Sequence, residues 1–420
     1  MSETVFTYAA PALKMGRGAS SEVGHDLRSW GVGRVLLVTD PGVAATGHPA
    51  RIADEVTAHG IEVVVYDEAR VEPTDVSLAH AVAFGREHGP FDAVLAVGGG
   101  SAIDTGKAVN LLTTNPGELM DYVNAPVGGG RAPTAALLPL LAVPTTTGTG
   151  SESTTVCVLD VLDQHVKTGI SHTALRPTLA VVDPDLAISQ PAMVTAASGM
   201  DILCHALESL TARWYADLPA KRPEERVPYC GANPVAEMWA EKSLSLLAGS
   251  FRRAVAHGDD TVAREQMSMA ATFAGLGFGN AGVHLPHACA YPIAGRVRDY
   301  TPPDYPGDHP MVPHGMAVAL TAPEAFRFTF PADPDRHVRA ARLLDPDVVD
   351  PGPDTLPTVV ASLMRDIGLP SGLAEVGYGA GDVDDLVEGA LKQQRLLATA
   401  PREAAADDLA GIVRGSLENW

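Results

Sequence analysis

The feature that most constrains this chain is a series of short, continuously apolar runs, each followed by a turn and then a helical pattern. Val35-Leu-Leu-Val38, Glu62–Tyr66, Phe91–Val97, Leu140–Pro144 and Leu179–Val182 are the runs, and helices are expected near 48–59 and 75–88. Continuous rather than alternating apolar residues suit a parallel sheet covered on both faces. The pattern therefore predicts an α/β domain over residues 1–188.

The third run passes straight into Gly98-Gly-Gly-Ser101-Ala-Ile-Asp104-Thr-Gly-Lys107 and an apolar helix. Strand, glycine turn and helix form a phosphate-binding geometry, because backbone N–H groups can approach a diphosphate where the helix dipole favours negative charge. The turn is not the usual G-x-G-x-x-G and does not follow the first strand. Taken alone it is equally a tight turn. Asp40 ends the first run; an acid there can accept from ribose hydroxyls and repel a 2′-phosphate, favouring NAD over NADP. Asp40-Pro-Gly is otherwise a plain turn. The fourth run ends in Thr145-Thr-Thr-Gly-Thr-Gly-Ser-Glu152, which offers hydroxyls and N–H groups to a diphosphate or an amide. The expected cofactor contacts are Asp40, Gly98, Gly99, Gly100, Ser101, Asp104, Thr145, Thr146, Thr149, Gly150, Ser151 and Lys167, in a Rossmann-like dinucleotide-binding domain.

Asp183-Pro-Asp185 and Gln190-Pro191 mark the expected boundary, and residues 189–420 read as an all-helical metal and substrate domain. Ser198 is placed as N-cap of a helix carrying Asp201 and His205, which at four residues apart share one face. His287 and His314 follow in His287-Ala-Cys-Ala-Tyr291 and Pro313-His314-Gly315. One Asp and three His suit a divalent ion, Fe²⁺ first and Zn²⁺ second. His284 is read as a packed histidine, and Cys204 as a packed thiol facing about 100° away from its neighbour His205. Residues 213–234 and 296–313 are irregular, Pro-rich excursions. Further helices are expected at 235–256, 261–276, 337–344, 355–366, 383–397 and 404–417, with Phe273–Gly282 as a glycine-rich approach to a ligand or neighbour.

Composition narrows the class. The net charge of −21 argues against nucleic acid and anionic membrane surfaces. No apolar run approaches the roughly 18 residues of a membrane span, and the first residues lack a basic start followed by an apolar core. Cys157, Cys204, Cys230 and Cys289 have no paired spacing, which fits a reducing compartment; the cytoplasm is the expected location.

The motifs Gly98-Gly-Gly-Ser-x-x-Asp104-x-x-Lys107, Pro144-Thr-Thr-x-Gly-Thr-Gly-Ser-Glu152, Asp201-x-x-x-His205-x-x-Glu208 and the His287 and His314 segments resemble the iron-containing (group III) alcohol dehydrogenases over nearly the whole chain. The resemblance implies an active site in the cleft between the two domains and the ligands Asp201, His205, His287 and His314. Asp121–Pro126, Cys204–Ser209, Gly231–Pro234, Phe273–His284 and Tyr305–His314 look closest to the hydroxyacid–oxoacid transhydrogenase branch. That branch implies hydride shuttling between 4-hydroxybutyrate and 2-oxoglutarate through a held NAD, and a homo-oligomer. Many members of the family carry a second histidine four residues after the third ligand. Tyr291 stands there in this chain, and it is the expected hydrogen-bonding group of the catalytic set. An acidic substrate needs a cationic anchor; Arg213, Lys221, Arg222, Arg226, Arg296 and Arg298 are candidates. The rival readings are an ordinary NAD-linked dehydrogenase of phosphonoacetaldehyde or a primary alcohol, a dehydroquinate-synthase-like lyase, and a nucleotide-binding protein without turnover.

Overall fold

A computed structural model describes residues 2–164, 166–305 and 309–420, so positions 306–308 of the Tyr305–His314 motif lie outside the described residues. The chain divides into two compact units, Ala10–Ile188 and Met1–Ala9 with Ser189–Trp420. The break at Ile188 coincides with the Pro-punctuated boundary. The segment before Ala10 differs from expectation, because Glu3, Phe6 and Ala9 have partners in the helical unit. Asn280 there accepts from the Ala9 N–H and donates to the Ala9 carbonyl at 2.9 and 3.0 Å, and Phe6 packs edge-on against Tyr215.

In the first unit the strands are β1 (Ala12–Met15), β2 (Arg34–Val38), β3 (Glu62–Tyr66), β4 (Ala93–Gly98), β5 (Leu140–Pro144), β6 (Val156–Val161), β7 (Val166–Ser171) and β8 (Leu179–Val182). The helices are α1 (Val23–Ser29), α2 (Pro41–Ala44), α3 (His48–Ala58), α4 (Asp75–His88), α5 (Gly100–Thr114) and α6 (Leu119–Tyr122). Six strands form one sheet in the order β1-β8-β5-β4-β2-β3, with parallel pairing throughout. Alternate residues of the central strands enter opposite cores: Leu36, Val94 and Leu140 join one, and Leu37, Leu95 and Leu141 the other. Burial on both faces is why these strands read as continuous apolar runs. The chain runs from β2 outward to β3, then returns to the other side of β2 as β4. The carboxyl ends of β2 and β4 therefore flank a topological switch point, where open α/β sheets bind ligands. β1 and the antiparallel β6–β7 hairpin are additional to the expected elements.

The second unit holds α7 (Ala192–Thr211), α8 (Pro234–Ala256), α9 (Thr261–Ala281), α10 (Leu285–Gly295), α11 (His314–Thr329), α12 (Pro334–Leu344), α13 (Thr355–Asp366), α14 (Val383–Leu391), α15 (Gln394–Leu397) and α16 (Ala406–Gly415). Its described residues contain no named strand, and none of its helices is long and apolar enough to cross a membrane. α7 corrects the expected start. It begins at Ala192 after Pro191, and Ser198 lies inside it, its Oγ accepting from Gln190 Nε2 at 2.8 Å. The Ala-rich stretch 192–197 extends the helix backward, so Asp201 sits in its third turn rather than its first. α9 continues through the glycine-rich stretch. A Cβ on Gly277 would lie 3.3 Å from the Ala236 carbonyl and 3.1 Å from Ser209 Oγ. Close packing of α9 on α7 and α8 therefore accounts for that glycine.

Candidate active site

Three helices of the second unit bring the side chains expected to ligate a metal together. α7 is buried along most of its length and carries Asp201 and His205 on one face. His287 is the third residue of α10 and His314 the first of α11, so both imidazoles project from helix starts. Asp201 Oδ1 lies 3.6 Å from His205 Nε2, 3.5 Å from His287 Nε2 and 3.9 Å from His314 Nε2. Asp201, His287 and His314 form a group whose ligand atoms all lie within 4.8 Å of one another. His205 falls outside that group; its ring stacks on Phe278 and His287 at centroid distances of 3.8 and 4.7 Å. Gly315 explains how α11 comes this close, since a Cβ there would lie 2.7 Å from Asp201 Cβ and collide with the Ala197 carbonyl.

Buried polar atoms normally find partners. Here Asp201 Oδ1 and His287 Nε2 are buried without a hydrogen bond. Burial alone would raise the Asp201 carboxyl, but the surrounding imidazoles of His205, His314 and His287 hold it well below the carboxylate range. Burial pushes His205 down to about 3. It opposes charging of His287 too, yet the Glu208 and Asp201 carboxylates lift that imidazole to about 9. Carboxylates that favour a proton there also favour a metal cation. The donor set of one carboxylate and imidazoles, with unsatisfied atoms converging, fits a divalent transition metal.

Glu208 is the functional residue that sequence reasoning left without a role. It is fully buried, and it accepts from His287 Nδ1 at 2.5 Å and from the backbone N–H groups of His284 and His287 at 2.7 and 3.3 Å. The carboxylate thus caps α10 and fixes the His287 tautomer with Nε2 turned toward Asp201, as outer partners of metal-bound histidines do. The available signal was its place three residues after His205 on the same helical face. His284 is a packed histidine, its Nε2 3.0 Å from Thr211 Oγ1. Cys204 and Cys289 are buried in the helical core, and burial raises both thiols. Tyr291 lies next to the metal-ligating group, its ring centroid 5.8 Å from that of His314.

In the α/β unit the structure gathers Asp40, the glycine turn and the threonine loop at neighbouring strand ends. Thr145 N–H donates to the Gly98 carbonyl at 3.0 Å. A Cβ on Gly98 would lie 3.3 Å from Asp40 Oδ2, one on Gly99 3.2 Å from Thr146 Oγ1, and one on Gly100 2.6 Å from Thr149 Oγ1. Gly99 is the N-cap of the 15-residue α5 and supplies no side-chain cap. No side chain caps the first N–H groups of α5, the kind of helix start that favours an anion. Asp40 serves its turn as well, accepting from Val43 N–H at 3.0 Å, and burial raises its carboxyl. Thr145 Oγ1 is buried without a hydrogen bond. Ser101 Oγ accepts from Glu72 N–H at 3.1 Å. Gly150 adopts a positive φ of 61° that turns the loop toward Ser151.

Three expected cofactor contacts also make bonds within the protein. Asp104 accepts from Lys107, from Ser151 Oγ and, at 2.8 Å, from Val158 N–H. Ser151 Oγ also receives Lys107 Nζ at 2.9 Å. Lys167 pairs with Glu72 and, at 3.0 Å, with Asp160; burial would lower its ammonium, but the two carboxylates hold it well above its ordinary value. The basic anchors are mostly paired too: Arg213 with Glu403, Arg222 with Glu224 and Glu225, Arg226 with Glu3, Arg296 with Asp385 and Arg298 with Asp382. Lys221 meets Glu3 through its backbone N–H.

Comparison with known proteins agrees with this geometry. Residues 10–184 match the model of iron-containing alcohol dehydrogenases, and residues 225–417 match the C-terminal model of the Fe-containing alcohol dehydrogenase family. The chain is 44% identical over 421 residues to the mitochondrial hydroxyacid–oxoacid transhydrogenase of Bos taurus, an alignment covering 98% of this chain and 90% of that one. A crystal structure of 1,3-propanediol oxidoreductase superposes with a TM-score of 0.85 at 31% identity, covering 98% of this chain and 100% of the other. Sulfoacetaldehyde reductase from Bifidobacterium kashiwanohense, solved in complex with NAD⁺, superposes with a TM-score of 0.81 at 26% identity, covering 98% of each. The relatives at 39–44% identity are named as mitochondrial proteins, which overturns the expected cytoplasmic location. Unpaired cysteines report a reducing compartment and do not say which one. Fold, donor set and full-length similarity agree, and this chain belongs to the iron-containing alcohol dehydrogenase family of oxidoreductases.

Proposed function

We propose that this protein is a hydroxyacid–oxoacid transhydrogenase, which oxidises a small hydroxy acid of the 4-hydroxybutyrate type and passes the hydride to an oxoacid of the 2-oxoglutarate type through NAD. The observation that carries the reading is the 44% identity to a transhydrogenase across 98% of the chain, in a molecule that keeps the converging Asp201, His287 and His314. Asp201, His205, His287 and His314 are the metal ligands, with Fe²⁺ as the first choice and Zn²⁺ as the second. When bound, the divalent ion acts as a Lewis acid that acidifies a substrate hydroxyl, and the nicotinamide supplies the hydride acceptor.

The chain's own residues orient and neutralise. Asp201 contributes the negative charge at the centre of the imidazoles. Glu208 keeps the proton on His287 Nδ1, so Nε2 presents its lone pair. Tyr291, its ring 5.8 Å from that of His314, is a hydrogen-bonding group for the substrate. The uncapped start of α5 at Gly99, Gly100 and Ser101 holds the diphosphate, with Thr145, Thr146, Thr149 and Gly150 opposite. Asp40 accepts from the ribose and disfavours NADP. Family resemblance supports a homo-oligomer.

The test follows NADH absorbance with iron-loaded enzyme and 4-hydroxybutyrate, before and after addition of 2-oxoglutarate. Semialdehyde that appears only with the oxoacid, without free NADH, is the expected result. Steady NADH release without an oxoacid would replace this reading with an ordinary dehydrogenase of a small acidic aldehyde, the class to which the structurally similar sulfoacetaldehyde reductase belongs by name.

A further inference from the structure

Lys107 is a fully buried cation that no step above uses. Its ammonium lies 2.9 Å from Ser151 Oγ, 3.1 Å from Thr154 Oγ1, 2.7 Å from the Val156 carbonyl and 3.2 Å from Asp104 Oδ1. An ammonium has three donors, so this is a saturated arrangement. The acceptors come from two places. Asp104 is on α5, one turn before Lys107, while Ser151, Thr154 and Val156 belong to the end of the threonine loop and the start of β6. Asp104 strengthens the same tie by accepting from Val158 N–H with its other oxygen. Lys107 and Asp104 together fasten the loop to the helix.

The tie continues to the glycine turn. Ser151 N–H donates to Thr149 Oγ1 at 3.2 Å, and Thr149 is the side chain packed against Gly100, where an added Cβ would lie 2.6 Å away. A continuous path thus runs from Lys107 Nζ through Ser151 and Thr149 to the first residue of α5. A buried ion pair contributes little net stability compared with well-packed apolar residues of the same size. A lysine so placed does specify one geometry, because Ser151, Thr154 and Val156 must all meet a single atom.

We propose that Lys107 is a positioning residue for the dinucleotide, holding Thr149 and its loop at the height over the α5 N-terminus that a bound diphosphate requires. It acts through Ser151 and does not touch the ligand. The inference rests on the assignment of NAD to this loop pair.

The decisive variant is the double substitution Asp104→Asn with Lys107→Met, studied in the full-length iron-loaded enzyme beside Lys107→Met alone. The single variant leaves Asp104 as an uncompensated buried charge and can fail to fold; the double variant removes both charges and keeps the shapes. NAD affinity is measured by calorimetry, together with bound iron and the melting temperature. The expected result is a double variant with wild-type iron content and melting temperature but NAD binding weakened about tenfold, the worth of one charge-assisted hydrogen bond. A folded double variant that binds NAD within about twofold of wild type would overturn the proposal and leave Lys107 as a neutralised structural charge. Wild-type enzyme with no affinity for NAD would overturn the cofactor assignment itself, and the positioning role with it.

Discussion

The two units solve opposite problems with their polar groups. In the helical unit, Asp201 Oδ1 and His287 Nε2 are buried with no hydrogen-bonding partner, and these side chains are the proposed ligands. In the α/β unit, Asp104, Ser151 and Lys107 satisfy one another and Lys167 pairs with Glu72 and Asp160, while no side chain caps the start of α5. On the proposed function, a metal is recognised by side chains left unsatisfied, and a dinucleotide by a backbone that satisfied side chains hold still.

The largest test of that contrast is Asp201→Asn. It removes the only carboxylate of the metal-ligating group. Metal analysis and turnover should both fall by more than the roughly 10–100-fold typical of an outer-shell residue. An active, metal-loaded variant would break the ligand assignment. Glu208→Gln should come next. It leaves the ligands in place but unfixes the His287 tautomer, so iron affinity should drop about 10–100-fold while NAD affinity holds. Equal losses of both would mean that Glu208 is simply structural.

Gly100→Ala should invert the pattern. Its Cβ would meet Thr149 at 2.6 Å, so NAD binding should weaken about tenfold or more by displacing the loop, with iron content unchanged. Asp40→Ala should weaken NAD less, by the roughly 0.5–1.5 kcal/mol net of a single hydrogen bond, and narrow the preference over NADP. Calorimetric dissociation constants for the two cofactors read this directly. The smallest effect is expected at Arg298→Ala. Its partner is Asp382 at an exposed site, where ion pairs contribute about 0–1 kcal/mol. A large rise in KM for the acidic substrate would instead make Arg298 the anchor.

Legibility in the sequence follows the same division. Asp201 and His205 were readable because helical spacing alone puts them on one face, and the central strands because burial on both faces leaves no polar alternation. Glu208 was visible in its motif but not in its role, since its acceptor contacts lie 76 and 79 residues away at the start of α10. Asp104, Ser151 and Lys167 have the residue types of ligand contacts, and no local pattern shows that Lys107, Glu72 and Asp160 already engage them. The β6–β7 hairpin escaped for a related reason. Asp160 and Lys167 interrupt its apolar pattern and become strand residues only because they pair with each other across it. Ser198 was a misplaced cap, because alanine-rich sequence ahead of it can be helical without any capping signal.

The docking of Met1–Ala9 onto Asn280 has a consequence for how the molecule is made. Residues Ala10–Ile188 are contiguous, so every partner within that unit has been made once Ile188 has been added. The preceding segment differs, because Ala9 must wait for a partner 271 positions later in the chain. At about 5–20 residues per second, that interval is on the order of tens of seconds, during which the Ala9 backbone has no Asn280 to bind.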